Sequence, residues 1–236
     1  SITLPATQET VFPVLIKPAF GGGGKGMKLI RNQAELLREA EKATRVAENY
    51  FGNGELFAEQ YLRNARHVEV QLLGDQFGHI IHLYERECSI QRNHQKIIEE
   101  APALLLTPEL RAEILAAAIK IGQAVHYTGA GTVEFLISES GNFYFMEMNP
   151  RIQVEHGVTE QITGIDIVGE QLKIASGFPL SITQDQVKVN GHAIELRVYS
   201  ENPAENFAPS SKALLFVNLP SHSLLRIEAD IPGKEQ

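Results

Sequence analysis

In several short stretches of this chain, charged or amide side chains alternate with apolar ones. Val68, Val70 and Leu72 are interleaved with His67, Glu69 and Gln71; Ile194, Leu196 and Val198 with Glu195 and Arg197. Glu134 sits inside the apolar run 132–136 (TVEFL). Side chains two apart on a strand share a face, so each stretch separates an apolar row from a polar one. A buried carboxylate such as Glu134 then needs a cation or a metal beside it. The longest such row comprises Glu147, Asn149, Arg151, Gln153 and Glu155, with Met148, Ile152 and Val154 opposite, provided that Pro150 does not reverse the pleat. A half-exposed sheet face explains any one of the shorter stretches equally well, but it explains the 147–155 row less well. Their convergence on one sheet is what favours a site.

The remaining elements set the fold class. Segments 12–17 and 27–30 read as strands around a glycine run, and Asn32 with Glu35 forms a capping box for a helix. That helix carries Leu36, Leu37, Ala40, Ala43 and Ala47 toward a core and ends near 52–54 (GNG). Residues 56–62 form a further strand, and longer strands follow at 67–73, 80–87, 132–137, 142–149 and 192–199. Two helices interrupt them: one opens on Thr107 and Pro108 and buries Leu110, Ile114, Ala118, Ile121 and Val125; the other covers 166–176. Hairpin neighbours with segregated helices predict an α+β fold with a mainly antiparallel sheet. The predicted division is a small glycine-lid subdomain, 1–62, and a larger body, 63–236.

The glycine run 21–26 (GGGGKG) formally matches a dinucleotide fingerprint, but a strand follows where that motif needs a helix N-terminus. It is not a P-loop either, because Lys25 precedes Gly26 rather than Ser or Thr. Four consecutive glycines cost more chain entropy than a turn requires, so backbone N–H groups folded over phosphates, with Lys17 and Lys25 nearby, are favoured over a mobile hairpin. The paired carboxylates and amide of Glu134, Glu147 and Asn149 suit Mg²⁺, which takes hard oxygen ligands shared with phosphate. Arg151 offers a planar fork to a carboxylate-like or phosphate group, and Glu155 stands further along as a base. The segment 86–96 (RECSIQRNHQK) reads as a loop able to bind an anion. Segment 147–156 is therefore expected to be the reaction centre of an enzyme that uses ATP and a divalent metal to activate a small oxyacid.

Composition bounds these readings. The 236 residues are 43% hydrophobic and 21% charged, with a formal net charge of −8, which disfavours nucleic acid or an anionic membrane surface as partner. A lone cysteine, Cys88, excludes an internal disulfide framework and reads as a buried spectator. No apolar run reaches the roughly 20 residues of a membrane span, so a cytoplasmic location is expected, or the mitochondrial matrix in a eukaryote. No Ser/His/Asp order supports a hydrolase. Both ends fall beside predicted strands, and the chain reads as a piece of a longer protein.

Taken together, 16–27 (IKPAFGGGGKGM), 59–62 (EQYL), 66–71 (RHVEVQ), 85–103 (ERECSIQRNHQKIIEEAPA), 129–136 (GAGTVEFL), 143–168 (FYFMEMNPRIQVEHGVTEQITGIDIV) and 191–203 (GHAIELRVYSENP) resemble the ATP-grasp portion of biotin carboxylase. The resemblance covers about residues 12 to 207. It implies ATP contacts by Lys17, Gly23, Gly24, Met27, Glu59, Gln60, Tyr61, Leu62, His67, Gln91, His94 and Leu136, with Gln60 where the family commonly has lysine. It implies two Mg²⁺ (or Mn²⁺) ions on Glu134, Glu147 and Asn149, and bicarbonate on Lys96, Arg151, Gln153, the Val154 backbone and Arg197. Glu155 would be the general base and Arg197 would stabilise the biotin enolate, so that Glu155, Arg151, Arg197 and Lys96 form the catalytic group. The implied reaction phosphorylates bicarbonate with ATP to carboxyphosphate, whose CO₂ passes to biotin on a carrier domain. A carboxyltransferase component is the implied partner, and the resemblance allows a homodimer. The fragment itself is expected to be weakly active or inactive.

Two departures stand out. The family's Pro-Ser-Pro-Gly-Lys becomes 209–212 (PSSK) here, and its N-terminal domain and adenine-closing C-terminal segment lie outside the chain. The alternatives are another ATP-grasp ligase, such as a carbamoyl-phosphate synthetase half, or a non-catalytic nucleotide-binding fragment. The synthetase shares E-x-N-P-R but lacks the following 152–156 (IQVEH), so Glu155 and His156 discriminate.

Overall fold

The computed structural model describes residues 2–3, 11–20, 26–92, 95–210 and 216–229. The chain divides into two compact units, residues 1–197 and 198–236.

The first unit opens with β1 (Ile2–Thr3), β2 (Val14–Pro18), β3 (Lys28–Ile30), helix α1 (Gln33–Phe51) and β4 (Leu56–Gln60). The strands form a sheet in the order β1-β4-β2-β3, with β2 antiparallel to both neighbours and β1 parallel to β4. Asn32 Oδ1 accepts the Glu35 N–H at 2.9 Å, as the capping box predicts, but Glu35 returns its bond to Arg31 N at 2.7 Å rather than to Asn32. Gly52, at φ 71°, closes the helix with its N–H on Glu48 O at 2.9 Å. Leu36, Ala43 and Ala47 pack onto Val14, Ile16, Ile30 and Leu56. Leu37, expected inside, is 70% exposed, and Glu39 takes a buried position three residues after Leu36. The glycines and lysine at 21–25, including Gly23, Gly24 and Lys25, lie outside the described residues.

The second sheet holds β5 (Arg66–Gly74), β6 (Ile80–Arg92), β7 (Gln95–Ala101), β8 (Gly129–Ile137), β9 (Phe143–Asn149) and β10 (Ala193–Leu196). Its order is β10-β7-β6-β5-β8-β9, and every neighbouring pair is antiparallel. Helix α2 (Pro108–Ala124) is capped by Thr107, whose Oγ1 accepts the Leu110 N–H at 3.2 Å. It covers the apolar face, where Val68, Val70, Leu72, Val133 and Phe135 meet Ile114, Leu115 and Ala118. Burying each of the Val, Leu, Ile and Phe side chains contributes about 1.5–3 kcal/mol. Val125, expected on this face, lies beyond the helix end and is 59% exposed. The opposite face carries α3 (His156–Thr163) and α4 (Ile167–Ala175), with Ile167 and Val187 packed on Leu73, Ile81 and Leu83.

Three expectations need correction. Pro150 ends β9, so the alternation from Glu147 stops at Asn149 and the row does not continue to Glu155. Ile152 packs against the α4-side core, while Val154 is 61% exposed instead of facing inward. The segment 86–96 is not a loop: β6 runs through Arg92 and β7 starts at Gln95, with register pairs Gln91–Lys96 and Ile90–Ile98. Asn93 and His94 lie outside the described residues.

In the second unit, β11 (Glu201–Asn202) pairs antiparallel with β12 (Ala208–Pro209) around a short turn of helix, Pro203–Glu205. Among the described residues, no helix is long and apolar enough to cross a membrane.

Candidate active site

Alternation on β5 points His67, Glu69 and Gln71 to the face away from α2, and all three are buried. What makes this polar row tolerable is Arg86 on the adjacent β6, which is fully buried. Its Nε bonds Glu69 Oε1; Nη1 reaches Gln71 Oε1 at 2.8 Å and Thr159 Oγ1 at 2.9 Å. Nη2 reaches Thr132 Oγ1 at 3.2 Å and Gln153 Oε1 at 3.3 Å. All five guanidinium N–H donors are thereby used. One side chain ties β5, β6 and β8 to α3 and to the segment preceding it. The sequence reading gave Arg86 no such role. Glu69 and Gln71 called for a buried partner, but which residue answers them is set by the β5–β6 pairing, with Glu69 opposite Arg86.

Lys96, near the start of β7, is a second hub. Its ammonium bonds Glu69 Oε2, Glu134 Oε1 at 2.9 Å and Glu155 Oε1 at 2.6 Å. Burial pulls the Lys96 pKa down, but Glu69 foremost, with Glu134 and Glu155, outweighs it and holds the ammonium charged above the ordinary lysine range. Burial likewise pushes Glu69 up, and the Arg86 and Lys96 charges more than offset this, leaving Glu69 ionised. Glu155 is 2% exposed, and its other oxygen accepts from Arg197 Nη2 at 2.8 Å. Arg197 follows β10, where its backbone N–H still bonds Ile97 O at 3.0 Å.

The β8–β9 register sets Glu134 directly opposite Glu147 and Thr132 opposite Asn149. Asn149 Nδ2 lies 2.9 Å from Glu134 Oε1 and 3.3 Å from Glu147 Oε1. Gln153 Nε2 also donates to Glu134 Oε1, at 2.9 Å. Across the same face, His67 Nε2 is 2.9 Å from Glu134 Oε2, while Gln91 Nε2 lies 2.8 Å from His67 Nδ1. Burial opposes ionisation of Glu134, but the bonds from His67 and Lys96 hold its pKa down at about 2.

An oxygen-ligating cation fits this chemistry. Glu134 and Glu147 are ionisable oxygen donors in register, Glu147 is open to solvent, and turning the Asn149 amide over presents its oxygen to the same point. Two other sets of donors converge among the described residues: His67, Glu69 and Glu134, and Glu69, Cys88 and Glu155. Both of these sets are buried throughout, whereas Glu147 gives the Glu134–Glu147 pair an opening to solvent. Cys88 is buried and its thiol is pushed up by burial, in keeping with a spectator.

The cluster thus joins Lys96, Glu134, Glu147, Asn149, Gln153, Glu155, Arg197, His67 and Gln91. Arg151 lies at its rim, exposed, with Nη1 on Ile152 O at 3.1 Å. Leu136, two residues from Glu134 on β8, is half-buried and opposite His67. On the small sheet, Lys17 and Glu59 form an ion pair with each other, and Gln60 is the exposed last residue of β4. Tyr61 and Leu62 follow that strand, with Tyr61 N–H on Pro13 O at 3.2 Å, and Met27 is half-buried just before β3.

Comparison with known proteins places relatives around this geometry. Residues 3–183 match the family model described as the carbamoyl-phosphate synthase L chain, ATP binding domain. Biotin carboxylase 2 of Bacillus subtilis is 47% identical over 220 residues, 93% of this chain and 49% of that protein. Pyruvate carboxylase of Aspergillus niger is 51% identical over 203 residues, 85% of this chain and 17% of that protein. The biotin carboxylase domain dimer of Hydrogenobacter thermophilus 2-oxoglutarate carboxylase, crystallised with MgADP, ADP and bicarbonate, superposes with a TM-score of 0.81 at 50% identity. It is matched over 84% of this chain and 44% of that one. Biotin carboxylase of Campylobacter jejuni, in a β,γ-ATP complex, gives 0.81 at 46% identity over the same shares. The chain therefore spans less than half the length of each of these relatives. The expected fold, an α+β ATP-grasp fold, is the one these neighbours share.

Proposed function

Because the chain belongs to the family of the carbamoyl-phosphate synthase L chain ATP-binding domain, we propose that it is the ATP-grasp part of a biotin carboxylase, which carboxylates biotin with bicarbonate and ATP. The observation that carries this reading is Glu155, a buried carboxylate held between Lys96 and Arg197 and one hub away from the Glu134–Glu147 pair.

In this reading bicarbonate enters between Arg151, Gln153, the Val154 backbone, Lys96 and Arg197. Its negative charge draws on the N–H groups of Lys96 and Arg197 that Glu155 now accepts, which releases a Glu155 oxygen to take the bicarbonate proton. The deprotonated oxygen attacks the γ-phosphorus of ATP; the bond to the bridging oxygen breaks and ADP leaves, forming carboxyphosphate. Carboxyphosphate then splits into CO₂ and phosphate. Lys17, Met27 and, outside the described residues, Gly23, Gly24 and His94 would contact the phosphates and purine, together with Glu59, Gln60, Tyr61, Leu62, His67, Gln91 and Leu136. Mg²⁺ or Mn²⁺ on Glu134, Glu147 and Asn149 would neutralise charge on the phosphates. Biotin on a carrier domain supplies the nitrogen that accepts the carboxyl group, with Arg197 facing it. Residues 1–62 act as the lid and residues 63–236 as the body. A carboxyltransferase component and a second copy of the enzyme complete the assembly.

The family description also fits a carbamoyl-phosphate synthetase half. Residues 152–156 (IQVEH) and the names of the relatives favour the carboxylase. In the full-length protein, Glu155→Gln is expected to lower bicarbonate-dependent ADP release and biotin carboxylation at least about a hundredfold, the usual contribution of a general base. Undiminished carboxylation of free biotin by that variant rules out the base assignment.

A further inference from the structure

Arg197 does not serve Glu155 alone. Its Nη2 lies 2.8 Å from Glu155 Oε2 and 2.7 Å from Glu99 Oε1, so one nitrogen bridges two carboxylates. Glu99 is fully buried on β7, and the β7–β10 register sets it directly opposite Glu195. Glu195 Oε1 is 3.9 Å from Arg197 Nε. Three carboxylates therefore surround one guanidinium, and two of them have no part in the proposed chemistry.

We propose that Glu99 is a positioning residue that holds Arg197 in place while the charge on Glu155 changes, with Glu195 as its competitor. The inference rests on the reaction proposed above. When Glu155 takes a proton, its hold on Arg197 weakens, and a guanidinium with no second anchor would be lost from the site at that moment. Glu99 is the anchor, because its carboxylate is buried and lies against the same Arg197 nitrogen that meets Glu155. Conversely, loss of Glu99 shifts the balance of the fork toward Glu155, where a bidentate pair would block proton uptake.

Glu195 decides whether Glu99 has a competitor. Burial foremost, then the Glu99 charge, pushes the Glu195 carboxyl up to about 7, and burial also raises Glu99 despite Arg197. The charged groups acting on the pair are Arg197 on the β10 side, Glu155 before α3, Glu69 on β5 and Arg86 on β6. Glu100 and His192 face each other separately at 3.3 Å. With Glu195 protonated, Glu99 and Glu155 are the ionised carboxylates of these three against Arg197; once Glu195 ionises, a third anion pulls at Nε.

The test uses the full-length protein with free biotin. Glu99→Gln should lower kcat for biotin carboxylation about tenfold or more with KM for ATP little changed, and Glu99→Asp should recover part of it. Glu195→Gln should remove an alkaline fall in kcat centred near pH 7. Crystal structures of wild type and Glu99→Gln should differ in Arg197, which turns from the bridge onto Glu155. An unchanged kcat in Glu99→Gln, a pH profile in Glu195→Gln identical to wild type, or an Arg197 that keeps its bridging position overturns the inference. Absence of bicarbonate-dependent ADP release in the wild type would instead remove the proposed reaction, and the crystal structures then decide the positioning alone.

Discussion

At the scale of single residues, Arg86 bears most of the site's cohesion. A buried guanidinium is tolerated because every N–H finds an acceptor, and those acceptors are what hold Gln153 and Glu69 in place. Arg86→Met keeps much of the side-chain length but leaves Glu69 with Lys96 as its remaining cation, and Gln71 and Thr159 without this donor. The expected loss is about 3–5 kcal/mol, the range for removing one partner of a buried ion pair. Urea unfolding of the full-length variant measures it, and a loss within about 0.5 kcal/mol, the size of an ordinary surface change, would contradict the hub role. Some of these residues were legible beforehand: the polar rows on 67–71 and 195–197 and the Glu134–Glu147 hairpin pair all stand where alternation put them. Arg86 was not, because in the sequence it lies in a polar stretch that reads as an exposed connection. Only pairing with β5 reveals that it faces Glu69.

At the scale of elements, caps and alternation carried most of the fold. Asn32, Thr107 and Asp166 each accept the N–H three residues on; the first two helices were expected from their caps, and the third was expected over 166–176 without its cap being recognised. Helix α3 was missed for a physical reason. Its first flanking residue, Glu155, makes no capping bond, since both its oxygens are taken by Lys96 and Arg197. Local helix rules fail where a residue has been given over to the site. The β6–β7 hairpin was missed likewise, because its inward residues are charged rather than apolar.

The docking of β10 on β7 also has a pH signature. The Glu195 pKa rises on folding from an ordinary 4.5 to about 7, so between these values the folded state binds more protons than the unfolded one. Its stabilising contribution is full below pH 4.5 and is lost as pH climbs through 7. His82, whose pKa burial lowers from 6.5 to about 4, acts in the opposite sense over an overlapping window. The difference between wild type and Glu195→Gln therefore isolates the effect. Measured by unfolding at pH 5 and pH 8, wild type should lose about 2 kcal/mol relative to the variant, after allowance for screening at a partly exposed side chain. A pH-independent difference between the two would contradict it.

At the scale of the whole molecule, one sheet face is apolar under α2 and the other holds the ionised cluster. The chain thus separates what stabilises it from what reacts. The α+β class, the antiparallel body sheet and the ATP-grasp resemblance all followed from patterns spread along the chain. What the sequence left open was depth: it predicted a strand face bearing Glu147 through Glu155, and folding instead turns the chain at Pro150 and carries Gln153 inward onto Glu134 and Glu155 inward onto Lys96.

The central claim is that bicarbonate attacks the γ-phosphate of ATP at this cluster. Incubating the full-length protein with ATP, Mg²⁺, biotin and ¹⁸O-labelled bicarbonate, and measuring label in the released phosphate by mass spectrometry, tests it most directly. Transfer of one bicarbonate oxygen into each phosphate, lost together with carboxybiotin formation in Glu155→Gln, is the predicted result. Phosphate that takes its new oxygen only from water would contradict the account.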